Sequence, residues 1–191
     1  MTPSTANDVT RHVAQFSQKV YQVQMPAQPG QMAAVLYPRV HGRPAPEITP
    51  WANGAGARII LGGQTQYVVL ADAPADVSAD GITIKGRAAM ACRKGAQTLL
   101  ALLSGDTVGA GDAVLMRTGG GSVGALQATI DAAARTLRGE SHGNAQTVRL
   151  RLPATLELTR LQVDGRRSAL AFRDGAVEFA LPAGEHVFAM R

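Results

Sequence analysis

The sequence predicts an all-β protein, folded as an antiparallel β-sandwich. Short runs of alternating apolar and polar residues recur along the chain, as in residues 176–181, where Val177, Phe179 and Leu181 alternate with smaller or polar side chains. Asp-Gly and Gly-Gly pairs separate several of these runs and supply the positive φ angles that tight hairpins need. Because aromatic residues make up only 4% of the chain, the core must rest on Leu, Val, Ile and Ala.

The N-terminal part of the chain predicts a polar leader followed by two strands. Residues 1–15 are polar, whereas residues 19–25 alternate as a strand and residues 31–37 are apolar enough to form another. Residues 38–50 hold four of the ten prolines, a density that excludes a helix interior or a central strand. This segment is predicted to be a surface connection.

The remaining strand signals are closely spaced, as is usual in sandwiches and barrels. Residues 123–137 are ambiguous, since an alanine triplet favours helix, but their alternation favours two strands joined by a turn at 131–133. The predicted domain therefore spans residues 16–191, with a sub-boundary near 141–146 if a second, smaller sandwich begins there. The other strands are predicted at residues 57–61, 66–71, 82–85, 87–93, 98–103 and 146–152, followed by hairpins at Asp164-Gly165 and Asp174-Gly175.

Charge and cysteine content narrow the classes of partner and compartment. The formal net charge is +5, and arginine, which donates paired hydrogen bonds to carboxylate, sulfate or phosphate, far outnumbers lysine. An acidic polymer is one expected partner, although the same arginines also fit simple solvated faces. Cys92 is the only cysteine, so no internal disulfide forms, and it is expected in the core. We see no export signal or bilayer-spanning stretch, and expect neither a membrane nor a nucleic-acid partner; the compartment stays open.

No recognisable catalytic or metal motif stands out in the sequence. The four histidines have no metal-ligand spacing, and the glycine-rich turns at residues 54–58 and 109–112 lack the phosphate-loop pattern. A G-x-S-x-G elbow is absent, and the aspartates fall at strand ends and turns, where they cap the backbone. We therefore predict no catalytic residue, no metal site and no cofactor, and an autonomous enzyme is the third-ranked hypothesis.

Trp51 is the best single candidate for a binding residue. It follows the proline-rich segment and precedes a stretch of small residues, so its ring is expected near Arg39, His41 and Arg43. An aromatic face with nearby arginines can stack on a sugar and hold an acidic substituent. The alternative is that Trp51 plugs one end of the sandwich or faces a neighbouring domain.

Several segments resemble the C-terminal β-sheet region of heparinase II/III-like polysaccharide lyases. They are V-L-Y-P-R at 35–39, P-A-P at 44–46, N-G-A-G-A-R-I at 53–59, Y-V-V-L at 67–70 and L-S-G-D at 103–106, with V-R-L-R-L-P and L-Q-V-D-G downstream. In that family a separate α/α toroid carries most of the groups for β-elimination on uronic-acid polymers, and this sequence has no toroid and no matching histidine cluster. The resemblance therefore implies no catalytic or metal residue here, and it implies a periplasmic or secreted parent protein.

Two functional hypotheses follow, from different classes. The first is a non-catalytic accessory sandwich that supports or helps bind acidic polysaccharide. The second is a protein-interaction module that docks on a separate catalytic toroid subunit or associates with a second copy of itself. The second hypothesis predicts an exposed apolar patch of several hundred Å².

Overall fold

The computed structural model describes residues 44–118, 123–154, 156 and 158–191, and these form fourteen β-strands and one short 3-10 turn at Ala52–Gly54. The predicted leader and the two strands at 19–25 and 31–37 lie outside the described residues. Every strand pairing among the described residues is antiparallel, which confirms the all-β fold class. The strands are β1 (Glu47–Trp51), β2 (Gly56–Leu61), β3 (Gln64–Ala79), β4 (Ile82–Lys94), β5 (Gln97–Ala110), β6 (Ala113–Thr118), β7 (Val123–Asp131), β8 (Thr136–Gly143), β9 (Gln146–Arg151), β10 (Leu161–Val163), β11 (Arg166–Arg167), β12 (Ala171–Arg173), β13 (Ala176–Leu181) and β14 (Gly184–Met190).

Three long strands, β3, β4 and β5, belong to both layers of the sandwich. The N-terminal part of β5 pairs with β7, and its C-terminal part pairs with β6, so the sheet divides at the middle of this strand. The first layer runs β1-β2-β3-β4-β5-β7-β8-β14-β10-β11, and the second runs β3-β4-β5-β6-β9-β13-β12. Strands that turn a corner from one sheet into another do so at bulges or bends.

The bend lies where Gly86 of β4 meets Gly105 of β5. Both have positive φ (157° and 145°), and a Cβ on Gly86 would lie 2.6 Å from the Gly105 Cα. Register shifts in the β4–β5 ladder occur at the same place. The sequence therefore predicted two strands at 82–85 and 87–93, whereas the structure has one strand, β4, that bends between them.

One continuous hydrophobic core lies between the two layers. Phe179 of the second layer and Phe188 of the first are in contact, with ring centroids 5.2 Å apart. Val177, Phe179 and Leu181 are all buried, which confirms the predicted alternation along β13, and Cys92 is buried as expected. Complete burial of a Leu or Phe side chain contributes about 1.5–3 kcal/mol, so the paired inner faces dominate the stability.

Arg117 of β6 points into this core beside the bend. It is 5% exposed, and its guanidinium donates a hydrogen bond to the carbonyl oxygen of Gly124 in β7. Burial lowers the pKa of Arg117, and nearby Asp106 opposes that shift. The side chain thus ties β6 to β7 at the point where these two strands leave β5 for different layers.

The turns are largely as predicted. Asp80-Gly81, Asp164-Gly165 and Asp174-Gly175 each have positive φ at both residues and connect adjacent antiparallel strands, as type I′ hairpins do. The ambiguous segment 123–137 forms two strands, β7 and β8, which confirms the prediction against a helix.

Two strands were not predicted. β1 lies inside the proline-rich segment 38–50, so the prediction of a surface connection is wrong for its last residues. Pro50 is tolerated because β1 is an edge strand that pairs only with β2. β6 was also not predicted, because one of its inward positions is the charged Arg117, which breaks the alternation of apolar and polar residues.

Candidate functional site

Trp51 lies inside the sandwich, near the edge formed by β1. Its side chain is 4% exposed, its ring packs edge-on against Tyr67 with centroids 5.2 Å apart, and its Nε1 donates to Asp80 Oδ2 at 3.1 Å. The ring thus links β1 to the β3–β4 turn, which is the second of the two placements considered from the sequence. Arg39, His41 and Arg43, its expected companions, lie outside the described residues.

A groove of about 690 Å³ lies on the outer face of the first layer, and we call it the outer groove. It crosses β4, β5, β7, β8 and β14 and reaches the turn between β10 and β11. The pairing register explains its composition, because Met90, Ala101, Gln127, Glu140 and Val187 form one continuous row across these five strands. Side chains from strands distant in sequence therefore share one surface.

One half of the outer groove is apolar. Met90, Ala101, Leu103 and Ala125 line it from β4, β5 and β7. Leu103 is 55% exposed, because it lies at a register shift between β5 and β7 and points away from the core. On the same face Leu70 of β3 is 62% exposed, so apolar surface continues beyond the groove.

The other half carries the polar groups and comes from β8, β14 and the β10–β11 turn. Glu140 Oε2 accepts a hydrogen bond from Gln127 Nε2 at 3.0 Å, and His142 Nε2 lies 3.5 Å from Glu185 Oε1. These side chains are exposed at the rim. Val187, 58% exposed, adds one large apolar side chain to this half.

His186 forms a clamp at the end of the groove. Its Nδ1 lies 2.8 Å from Asp164 Oδ2, and its Nε2 lies 3.3 Å from the carbonyl oxygen of Ala183. Both partners are acceptors, so only the doubly protonated imidazolium makes both bonds. The hydrogen bond to Asp164 is the main reason that the pKa of His186 is raised, and the same bond lowers the pKa of Asp164.

Ser141, His186 and Asp164 all line the outer groove, but they do not form a nucleophilic triad. A triad requires the second imidazole nitrogen to receive the serine proton. Here His186 Nε2 bonds instead to the Ala183 carbonyl, and Ser141 Oγ is buried with no hydrogen-bond partner among the described residues. The serine is therefore not activated for acyl transfer.

The described residues contain neither a cluster of metal-binding side chains nor a helix that could span a membrane. There, no group of three or more His, Cys, Asp or Glu side chains is placed to hold a metal ion. A search of the same residues for helices long and apolar enough to cross a bilayer found none.

Neither a protein-family model nor a curated protein matches this sequence. The resemblance to heparinase II/III-like lyases and the polysaccharide role that it implies therefore stay predictions.

Sequence reasoning missed the residues of the outer groove. His142 and His186 are 44 positions apart, yet antiparallel pairing of β8 with β14 places His142 opposite Glu185 and His186 opposite Ser141. Exposed Leu103 was part of a strand predicted simply as apolar. The available signal was the alternating polarity along two strands, and only the non-local register places Glu140, His142 and Glu185 next to one another on one face.

Proposed function

We propose that this domain is a non-catalytic interaction module that docks another polypeptide on the outer groove. The main support is that Leu70, Leu103 and Val187 expose more than half of their surface on one face of the first layer. Leu70 and Leu103 lie on either side of β4, beside Met90 and Ala101, whereas Val187 lies three strands from Leu103, beyond Gln127 and Glu140. An exposed apolar area next to polar groups is characteristic of protein interaction sites.

The chemistry of the groove supports a polypeptide over an acidic polysaccharide as its occupant. The described residues that line it include Glu140, Asp164 and Glu185 and no lysine or arginine. Carboxylates repel a uronic-acid or sulfated polymer, and Trp51, the candidate for stacking on a sugar, is buried in the core. The acidic-polysaccharide hypothesis, which depends on Arg39 and Arg43, stays a separate prediction.

Site-specific photo-crosslinking tests the proposed function. A photoreactive residue is placed at Leu103 and, as a control, at Phe172, an apolar position of β12 in the second layer that is 65% exposed. We expect a specific polypeptide adduct from position 103, which mass spectrometry identifies. Purified separately, that polypeptide should bind the wild-type chain and lose most of its affinity for Leu103→Ser, with Phe172→Ser unchanged.

Two results would contradict the proposal. One is the same adduct pattern from both positions, which would indicate non-specific apolar contact. The other is an identified polypeptide whose affinity is unaffected by Leu103→Ser, since its docking would then not involve the outer groove.

A further inference from the structure

The two halves of the outer groove differ in chemistry, and this difference points to the kind of partner. Resting on the proposed function, we infer that the docking element of the partner is an amphipathic α-helix with apolar residues on one face and basic residues along the adjoining flank. The apolar face contacts Met90 and Leu103, and the basic flank contacts Glu140 and Glu185.

The width of the groove matches a helix. Neighbouring strands are about 4.8 Å apart. β8 is two strand spacings from β5, and β14 is three strand spacings from β5. Leu103 and the two glutamates therefore lie about 10–14 Å apart across the strands. An α-helix with its side chains is about 10–12 Å in diameter, so one helix lying along the strands contacts both halves at once.

Glu140 and Glu185 are exposed carboxylates that a partner can reach. Glu185 lies 3.5 Å from His142, but 83% of its side chain is exposed. Asp164 is 49% exposed and lies 2.8 Å from His186, with Arg166 also near it. The two glutamates are diagonal neighbours in the β8–β14 ladder, because Glu140 pairs with Val187, two residues along from Glu185. Diagonal neighbours are about 7–8 Å apart.

That separation suits two cations spaced one helical turn apart. Helix positions i and i+4 place their Cβ atoms about 5–6 Å apart, and lysine or arginine side chains easily span the small difference. Arg138 of β8 lies on the same face, paired with Ala189 one row beyond Glu140. Its positive charge marks the end of the polar half on that side. The groove thus favours basic residues in its polar half, between Glu140 and Glu185.

The test is a binding titration with a defined probe. A fluorescein-labelled helical peptide of about 18 residues carries leucines on one face and lysines at i and i+4 on the adjoining flank. Fluorescence anisotropy at low salt compares it with a scrambled peptide of the same composition and with an analogue in which glutamate replaces each lysine. We expect saturable binding of the lysine peptide alone, weakening as salt rises.

Matched variants of the full chain assign the contacts. Glu140→Gln combined with Glu185→Gln should weaken binding about twofold to thirtyfold, the range expected for two exposed ion pairs. Glu47→Gln, at an exposed position of β1, removes the same charge far from the groove and should leave affinity unchanged. Leu103→Ser should abolish binding at concentrations that saturate the wild type.

Several outcomes would overturn the inference. Equal binding of the glutamate analogue, equal binding of the scrambled peptide, or no effect of the glutamate pair would each show that the groove does not select a basic amphipathic helix. A dimer in sedimentation that Leu103→Ser dissociates would assign the groove to a second copy instead. If the crosslinked polypeptide depends on Leu103 but the lysine peptide does not bind, the inference fails while the proposed function stands.

Discussion

His186 connects three parts of the fold through one imidazole ring. Asp164, which the ring contacts, also accepts a hydrogen bond from the backbone N–H of Val187 at 3.0 Å, and its own N–H donates to the Val187 carbonyl oxygen at 2.8 Å. The aspartate therefore continues the β10–β14 ladder by one residue before the hairpin turns. The ring then adds a link to the β13–β14 turn at Ala183.

This clamp predicts a pH-dependent stability. Because the folded-state pKa of His186 is raised above 6.5, its stabilisation is complete below pH 6.5 and is lost as pH rises through the folded pKa. Because the pKa of Asp164 is lowered from 3.8, its part is complete above pH 3.8 and is lost as pH falls through the lowered pKa. The stability difference between wild type and His186→Gln should therefore be greatest between these two values.

Urea unfolding of both proteins between about pH 4 and pH 9 measures that difference. The wild-type advantage should shrink on the alkaline side, as the imidazolium loses its proton. An advantage that stays constant across this range, or grows with pH, would show that protonation of His186 does not stabilise the folded state.

Trp51 shows where prediction from single residues ends. Its position after a proline-rich segment is compatible with both an exposed and a buried ring, and the deciding contacts come from Tyr67 and Asp80. Asp80 was predicted correctly at a turn. Sequence alone does not show that its carboxylate accepts a hydrogen bond from the indole N–H of Trp51, 29 positions away. Long-range pairing decided the environment of this residue.

At the scale of elements, the corner at Gly86 and Gly105 allows β4 and β5 to serve both layers. The two backbones approach closely enough that neither residue has room for a side chain, and a Cβ on Gly105 would lie 2.5 Å from the Gly86 Cα. An alanine at either position forces the strands apart at the point where both layers are anchored.

Gly86→Ala is therefore expected to lower the free energy of unfolding by about 2–4 kcal/mol, through steric conflict with the Gly105 backbone and an unfavourable φ. Gly95→Ala is the matched control, because Gly95 also has positive φ (56°) but nothing within 4 Å of its would-be Cβ. The control should lose only about 1–2 kcal/mol. Urea unfolding compares the two, and equal losses would show that close approach at the corner does not limit stability.

The strands and turns that were predicted correctly are those whose sequence signals lie within a few neighbouring residues. Asp-Gly and Gly-Gly pairs identified hairpins correctly, and two-residue alternation separated β7 from β8 without a helix. The bends were not predictable, since Pro74 in β3 and Gly86 in β4 interrupt the alternation just as a strand end would. The register shift between Leu70 and Ala75 accommodates Pro74 within one continuous strand.

At the scale of the whole molecule, the residues that line the outer groove differ in charge from the chain as a whole. The chain has a formal charge of +5, whereas the outer groove is lined by carboxylates and histidines. An acidic polymer and a basic helix would therefore select different surfaces of the same protein. The two hypotheses can be tested independently.

The acidic-polysaccharide hypothesis predicts salt-sensitive retention on a heparin column. Exposed ionic contacts are screened as salt rises, so the double variant Arg39→Ala with Arg43→Ala should elute at lower salt than the wild type. Arg151→Ala with Arg167→Ala, exposed arginines of β9 and β11, is the control for the loss of two charges alone. If the elution salt of both variants falls equally, retention depends on net charge alone. If the wild type is not retained, the hypothesis is contradicted.

The fold class follows from alternation and turn residues, but the outer groove depends on pairings between strands far apart in sequence. β5 with β7 and β8 with β14 bring Leu103, Glu140 and Glu185 onto one face. No spacing rule within a single sequence specifies which strands become neighbours. The composition of this surface is therefore visible only in three dimensions.

The sharing of β3, β4 and β5 between the layers also limits how the chain can be dissected. A fragment that keeps only the first layer must cut all three strands at their bends, and the same is true for the second layer. No single cleavage of the backbone releases either layer intact. A minimal version of the groove for engineering must therefore retain both sheets, and grafting its residues onto another scaffold would be simpler than trimming this one.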